Sequence, residues 1–196
     1  MFSSFNFIRL ILNFNELIKA RQSVRRYDPR PVEHKKLMQC LEAARLAPSA
    51  SNSQPWYFIV VDELELKNEI ARATFDSIIS FNRFVLQAPV IIVMVRVELP
   101  LITRLGSKIK KRDWHQIDTG IAAEHFCLQA AELGLGTCML GWYNETKVKE
   151  LLQIPAERSV SLLIALGYAP AGYRLREKTR KPIEKIVGFN RYQNEK

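Results

Sequence analysis

The run Ala88-Pro89-Val90-Ile91-Ile92-Val93-Met94-Val95 constrains the fold most. A strand with one wet face alternates apolar and polar residues. This run does not alternate, so it must be covered on both faces, and its proline lies only at the start, where a missing N–H is tolerated. It predicts a central strand. Val160 to Leu166, closed by Gly167, predicts a second buried strand, and Trp56 to Val61, aromatic and β-branched, a third. Ile117 to Leu133 is the best helical pattern. It has an expected apolar stripe of Ile117, Ile121, Leu128 and Leu135, alanines at 122, 123, 130 and 131 for close packing, and Gly134 as its C′ residue, after which Thr137 to Gly141 reads as a short, tight turn.

Further helices are expected over 15–22 with Asn15 as N-cap, over 33–46, 63–72 and 75–86, and from Asn144 to about Leu152. The segment 98–116 has weak periodicity and many charges, the pattern of a lid or insertion. We therefore expect an N-terminal extension over 1–14 and one domain over 15–196, with a C-terminal arm at about 183–196 that is extended over 183–189. No run approaches the roughly 20 apolar residues that span a bilayer, and the apolar N-terminus lacks a basic start, so neither a membrane span nor a signal peptide is expected. The cysteines, at 40, 127 and 138, are odd in number and far apart, which suits neither a disulfide framework nor a zinc site and points to a reducing cytoplasm.

The net charge is +9, concentrated at 19–36, 104–112 and 174–185. A nucleic acid is one partner such charge suits. No zinc finger, ribonucleoprotein signature or aromatic-interleaved basic helix accompanies it, and a phosphate-bearing cofactor with a dinucleotide substrate would account for it equally; no nucleic acid is expected. In Arg21-Gln22-Ser23-Val24-Arg25, alternate residues of an extended segment project to one side, so Arg21, Ser23 and Arg25 can face one anion. Lys178-Thr179-Arg180 repeats that spacing. Between the helix at 33–46 and the strand at 56–61 lies Ala47-Pro48-Ser49-Ala50-Ser51-Asn52-Ser53-Gln54-Pro55, a proline-bracketed polar loop. Gly134-Leu135-Gly136 lacks a third glycine and follows a helix, so it is no dinucleotide fingerprint. The three histidines are widely spaced, and no metal site is expected.

Taken in order, the Arg21–Tyr27 segment, the 47–56 loop, Gly134–Gly141 and Lys178–Arg180 resemble the nitroreductase-like family of FMN-dependent oxidoreductases, from about residue 15 to 192. The resemblance implies an α+β fold, with a mixed, mostly antiparallel sheet flanked by helices, assembled as an intertwined homodimer. It implies non-covalent FMN and NAD(P)H as co-substrate. Arg21, Gln22, Ser23 and Arg25, with Lys178 and Arg180, would hold the phosphate and ribityl chain. Pro48, Ser49, Ser51 and Asn52 would reach the isoalloxazine ring across the dimer interface, with Ala50 where the family usually has a second serine. Asn82 would read the pyrimidine edge, and the main chain of Leu140 and Gly141 would face N5. No residue is singled out as catalytic. The expected activity is reduction of small electron-poor acceptors (nitroaromatics, quinones or enones) by ping-pong hydride transfer. Reductive dehalogenation on the same scaffold, or a non-enzymatic flavin or nucleic-acid binder, are the alternatives.

Overall fold

The computed structural model describes residues 13–97 and 114–193. The expected extension up to residue 12, most of the expected lid (98–113) and the last three residues of the arm lie outside them.

Four strands form one sheet in the order β1-β2-β4-β3: β1 Trp56–Val61, β2 Val90–Arg96, β3 Gly136–Leu140 and β4 Ser159–Gly167. Every neighbouring pair is antiparallel. The one parallel pairing among the described residues is an isolated bridge between Ser23 and Thr137 on the outer edge of β3. Residues 90–95 are buried throughout, as their unbroken apolar run requires. Alternation along β2 divides them between two cores. Val90, Ile92 and Met94 pack with Leu37, Cys40 and Ala44 of α2 (His34–Arg45) and Phe126 of α4 (Trp114–Glu132). Ile91, Val93 and Val95 pack with Ile70 and Ala71 of α3 (Leu64–Arg72) and Val148 of α5 (Glu145–Leu151). The sheet is therefore covered by helices on both faces.

α1 (Phe14–Ala20) begins one residue earlier than expected, because Asn13, not Asn15, caps it. The Asn13 side chain accepts from the Glu16 N–H and the Glu16 carboxylate accepts from the Asn13 N–H, each at 3.0 Å. Gly134 closes α4 at φ +75°, as a C′ glycine does. Asn144 caps α5, its side chain accepting the Lys147 N–H at 3.0 Å.

Four expectations change. Residues 75–86 do not form one helix; they make turns and a short 3₁₀ segment, Arg83–Gln87. The Asp76 carboxylate accepts the N–H groups of Ile78 and Ile79, both at 2.7 Å, and so withdraws them from a helical ladder. The buried face of α4 is Ala122, Ala123, Phe126, Cys127 and Ala130; of the expected stripe, Leu135 is buried and Ile121 packs against the core, but Ile117 is 54% exposed. Thr137–Gly141 is mostly a strand rather than a tight turn. The stretch 183–189 is not extended: it opens with a 3₁₀ turn, Ile183–Lys185, and stays exposed.

Candidate functional site

The N-terminal basic segment lies against the outer edge of β3. The Val24 N–H donates to the Thr137 carbonyl at 2.8 Å, and the Val24 and Tyr27 side chains turn into the core. Gly136 permits this approach. A Cβ added there would meet Val24 Cγ2 at 2.6 Å, inside any real contact.

The C-terminal basic segment then lies along the N-terminal one. The Gln22 amide donates to the Arg174 carbonyl at 3.3 Å, while its Oε1 accepts from the Arg176 N–H at 3.1 Å. The Arg176 guanidinium also donates to the Ser23 carbonyl. Lys178 Nζ donates to the Lys19 carbonyl at 2.6 Å and to the Arg21 carbonyl. The Arg25 N–H donates to the Tyr173 hydroxyl at 3.1 Å. Residues more than 140 positions apart are thus joined into one surface, and the cations of Arg21, Arg176, Lys178 and Arg180 gather on it. Burial, then the charges of Arg21 and Arg180, depress the Lys178 pKa, against a smaller opposing pull from Glu124. Glu124 on α4 forms an ion pair with Arg21 at 3.0 Å. Among the described residues, Arg180 donates only to its neighbour's carbonyl, that of Thr179, at 2.8 Å. Arg25 is exposed, and its side chain makes no hydrogen bond to the described residues.

A surplus of cations around one carboxylate is the donor set of an anion site, and guanidinium and ammonium groups suit a phosphate. The amide of Gln22, one of the residues expected to hold the phosphate and ribityl chain, clamps the two basic segments. Arg176 and Glu124 were not expected at all. The period-2 alternation Arg174, Arg176, Lys178, Arg180 was the signal that would have found Arg176.

Just beyond β3, Gly141 is exposed, and a Cβ added to it would meet nothing within 4 Å. Its φ lies outside the left-handed region. Neither crowding nor backbone strain in this chain explains a glycine here, so the open space above it suits a bound group. Leu140 buries its side chain, leaving only its main chain for a ligand. Asn82 is 4% exposed, and its amide donates to the Thr74 carbonyl at 3.1 Å and the Trp142 carbonyl at 3.2 Å. Both amide protons are engaged, so a ligand can meet only its Oδ1 acceptor. The tie to Trp142 brings Asn82 beside the Leu140–Gly141 end of β3.

The polar loop forms a separate group. Ser51, Asn52 and Gln54 adopt positive φ of 52°, 51° and 46°. Non-glycine residues in that region cost about 1–3 kcal/mol each and persist only where surroundings hold them. The Ser49 hydroxyl accepts the Gln54 N–H at 2.9 Å, and the Gln54 side chain donates to Asn52 Oδ1 at 3.1 Å. Both carboxylate oxygens of the buried Asp118 on α4 lie 3.2 Å from the Ala50 N–H. Pro48, Ser51 and Asn52 remain exposed. Among the described residues, no hydrogen bond or ion pair joins this loop to the basic segments of the same chain.

A model of the nitroreductase family matches residues 18–83 and 80–168. The chain belongs to the nitroreductase family. A family member from Clostridium novyi NT is 33% identical and superimposes with a TM-score of 0.70, covering 82% of this chain and 87% of that one. An FMN-dependent nitroreductase from Clostridium difficile is 30% identical with a TM-score of 0.72, covering 90% of this chain and 98% of that one. An NADH dehydrogenase of Thermus thermophilus is 28% identical over 204 residues, covering 90% of this chain and 96% of its own. The fold is therefore the nitroreductase fold, α+β with an antiparallel sheet. Lys178 and Arg180 lie beyond the matched segment; the place of Lys178 beside Arg21 rests on this chain's own hydrogen bond, and Arg180 follows it along the same segment.

Proposed function

We propose that the chain is an FMN-dependent NAD(P)H oxidoreductase that works as a homodimer. The observation that carries this reading is the joining of the basic segments of Arg21, Arg176 and Lys178 on the outer edge of β3, with open space at Gly141 just past the other end of that strand. Bound FMN would take a hydride from NAD(P)H and pass it to a small electron-poor acceptor, a nitroaromatic, quinone or enone, in ping-pong order.

In this reading Arg21, Lys178 and Arg180 neutralise the phosphate, with Ser23 and Arg25 along the ribityl chain and ring. Gln22 acts as a positioning residue, because its amide sets the spacing of the two basic segments. Asn82 offers Oδ1, which matches an N–H donor such as flavin N3–H. Main-chain groups of Leu140 and Gly141 approach the ring where no Cβ intervenes. Pro48, Ser49, Ser51 and Asn52 act on the site of a second copy, which is consistent with their lack of bonds to their own chain's basic segments. No side chain need act as acid or base. The buried, free thiols suit a reducing cytoplasm.

An absorption spectrum of the purified protein, followed by anaerobic NADPH or NADH, tests the reading. Flavin bands that are released on denaturation as FMN and bleached by either nucleotide support it. A colourless protein that fails to take up added FMN refutes it.

A further inference from the structure

Beside Gly141 the chain forms an open cavity of about 560 Å³. One wall is the end of α3 and the turn after it, with Arg72 and Phe75; the other is the connection from β3 to α5, with Trp142 and Tyr143. The walls are tied together. The Asn144 N–H donates to the Ala73 carbonyl at 2.7 Å, and the buried Asn82 amide bridges the carbonyls of Thr74 and Trp142. The cavity is thus preformed, and its volume falls in the range that holds small organic ligands.

Its lining is aromatic with one unengaged cation. Trp142 is 53% exposed, a large apolar surface one residue past Gly141. The Tyr143 hydroxyl donates to the Val160 carbonyl at 2.7 Å, so only its ring is on offer. Of the charged groups, the Asp76 carboxylate is held by two N–H groups of its own turn, and Lys147 Nζ lies 3.2 Å from both Glu150 oxygens. The Arg72 guanidinium makes no hydrogen bond or ion pair with the described residues. It is close enough to Lys67 to help depress that ammonium's pKa, after burial, and the Arg83 guanidinium lies 5.5 Å from the Phe75 ring centroid. The Arg83 cation therefore lies over the Phe75 ring, and Arg72 lines the cavity beside it. Glu69 also lines the cavity.

We propose that this cavity binds a flat aromatic ring carrying an anionic group, the ring against Trp142 and Phe75 and the anion on Arg72. Such a ligand has two sources: an aromatic acid that serves as acceptor, or the adenylate end of the nicotinamide reductant. The role of the cavity in turnover rests on the flavoenzyme reading; its binding of such a ligand does not.

The full-length, FMN-loaded protein and its Arg72→Gln and Trp142→Leu variants are assayed with NADPH against 4-nitrobenzoate and the neutral 4-nitrobenzyl alcohol. Loss of one charge-assisted contact is expected to raise the ratio of the two acceptors' KM values by about tenfold in Arg72→Gln. A tenfold rise in the KM for NADPH instead, equal with either acceptor, also supports the site and assigns it to the adenylate. Unchanged KM values for acid and NADPH in both variants overturn the proposal. Should the protein hold no flavin, calorimetric titration with 4-nitrobenzoate and with AMP decides. Binding weakened about tenfold by Arg72→Gln supports the cavity, and no binding of either to the parent protein overturns it.

Discussion

Gly141→Ala separates a glycine kept for a ligand from one kept for the fold. The added Cβ would meet no protein atom within 4 Å, and the backbone is not left-handed. Replacing glycine at a compatible site stabilises by about 0.4–1 kcal/mol, through the narrower unfolded ensemble. The apoprotein should therefore be unchanged or slightly more stable, read as the urea midpoint. If the flavin ring lies over Gly141, the same methyl group occupies ligand space. FMN affinity should then fall at least tenfold, about 1.4 kcal/mol, read by quenching of flavin fluorescence. Gly136→Ala should do the reverse: its Cβ would lie 2.6 Å from Val24 Cγ2 and 2.9 Å from Val24 Cβ. Overpacking of that kind costs about 1–3 kcal/mol. Undiminished FMN affinity in Gly141→Ala, with flavin bound, would refute the placement of Gly141 against the ring. A destabilised Gly141→Ala apoprotein would refute the open space itself.

Lys178→Gln removes a cation whose pKa is depressed by burial and by Arg21 and Arg180. A lysine depressed in the folded state binds protons less tightly than in the unfolded chain, so apoprotein stability should rise with pH on approaching the ordinary lysine value. That rise should shrink in the variant, whose FMN dissociation constant should increase at least tenfold; a pH series of urea midpoints and a flavin titration check both. Asn82→Ala strips donors from the Thr74 and Trp142 carbonyls. It should cost about 1–3 kcal/mol in urea unfolding, and a loss under about 0.5 kcal/mol would contradict the tie. The Tyr168 hydroxyl, 2.5 Å from Glu33, holds that carboxyl below its ordinary value. Because the folded value lies below the unfolded one, this contribution is present at neutral pH and is lost as pH falls through the folded value. Tyr168→Phe should move the Glu33 titration back upward in a carboxyl NMR series.

The elements legible in the sequence were those whose pattern allows one environment. Residues 90–95 can only be buried on both faces, and they are. Asn144 and Gly134 signal helix ends through local chemistry, and both do end helices. Residues 75–86 misled because their apolar content reads as helical, while Asp76 offers its own carboxylate to the amides a helix would use. The site was legible as a set of residue types but not as an arrangement. Nothing local reveals that Gln22 clamps Arg174 and Arg176, since the contact closes a loop of about 150 residues and depends on β3 offering its outer edge to the first segment. Composition also cannot tell Gly136, excluded from bearing a Cβ by Val24, from Gly141, which has room for one.

The exposure of Ile117 on α4 carries a further consequence. Volume decided which face meets the sheet: Ala122, Ala123 and Ala130 let the helix approach closely, with Phe126 as the one large side chain, and the bulkier Ile117 was left outside. Near Ile117 on the same helix, Gly120 has nothing within 4 Å of where its Cβ would be. Asp118, between them, fixes the strained 50–54 loop to this end of α4. One end of α4 thus combines an exposed aliphatic side chain, an open glycine and a loop held in conformations that its own chain does not use for bonding to the basic segments. A second copy packed on that end would cover Ile117 and receive the loop in the same step. If so, removing the Asp118 carboxylate should weaken FMN binding and self-association together. Asp118→Ala should do this in flavin titration and sedimentation, and Asp118→Asn, which keeps one acceptor oxygen, should restore most of both. Loss of FMN affinity with self-association intact would separate the loop from the interface and refute the link.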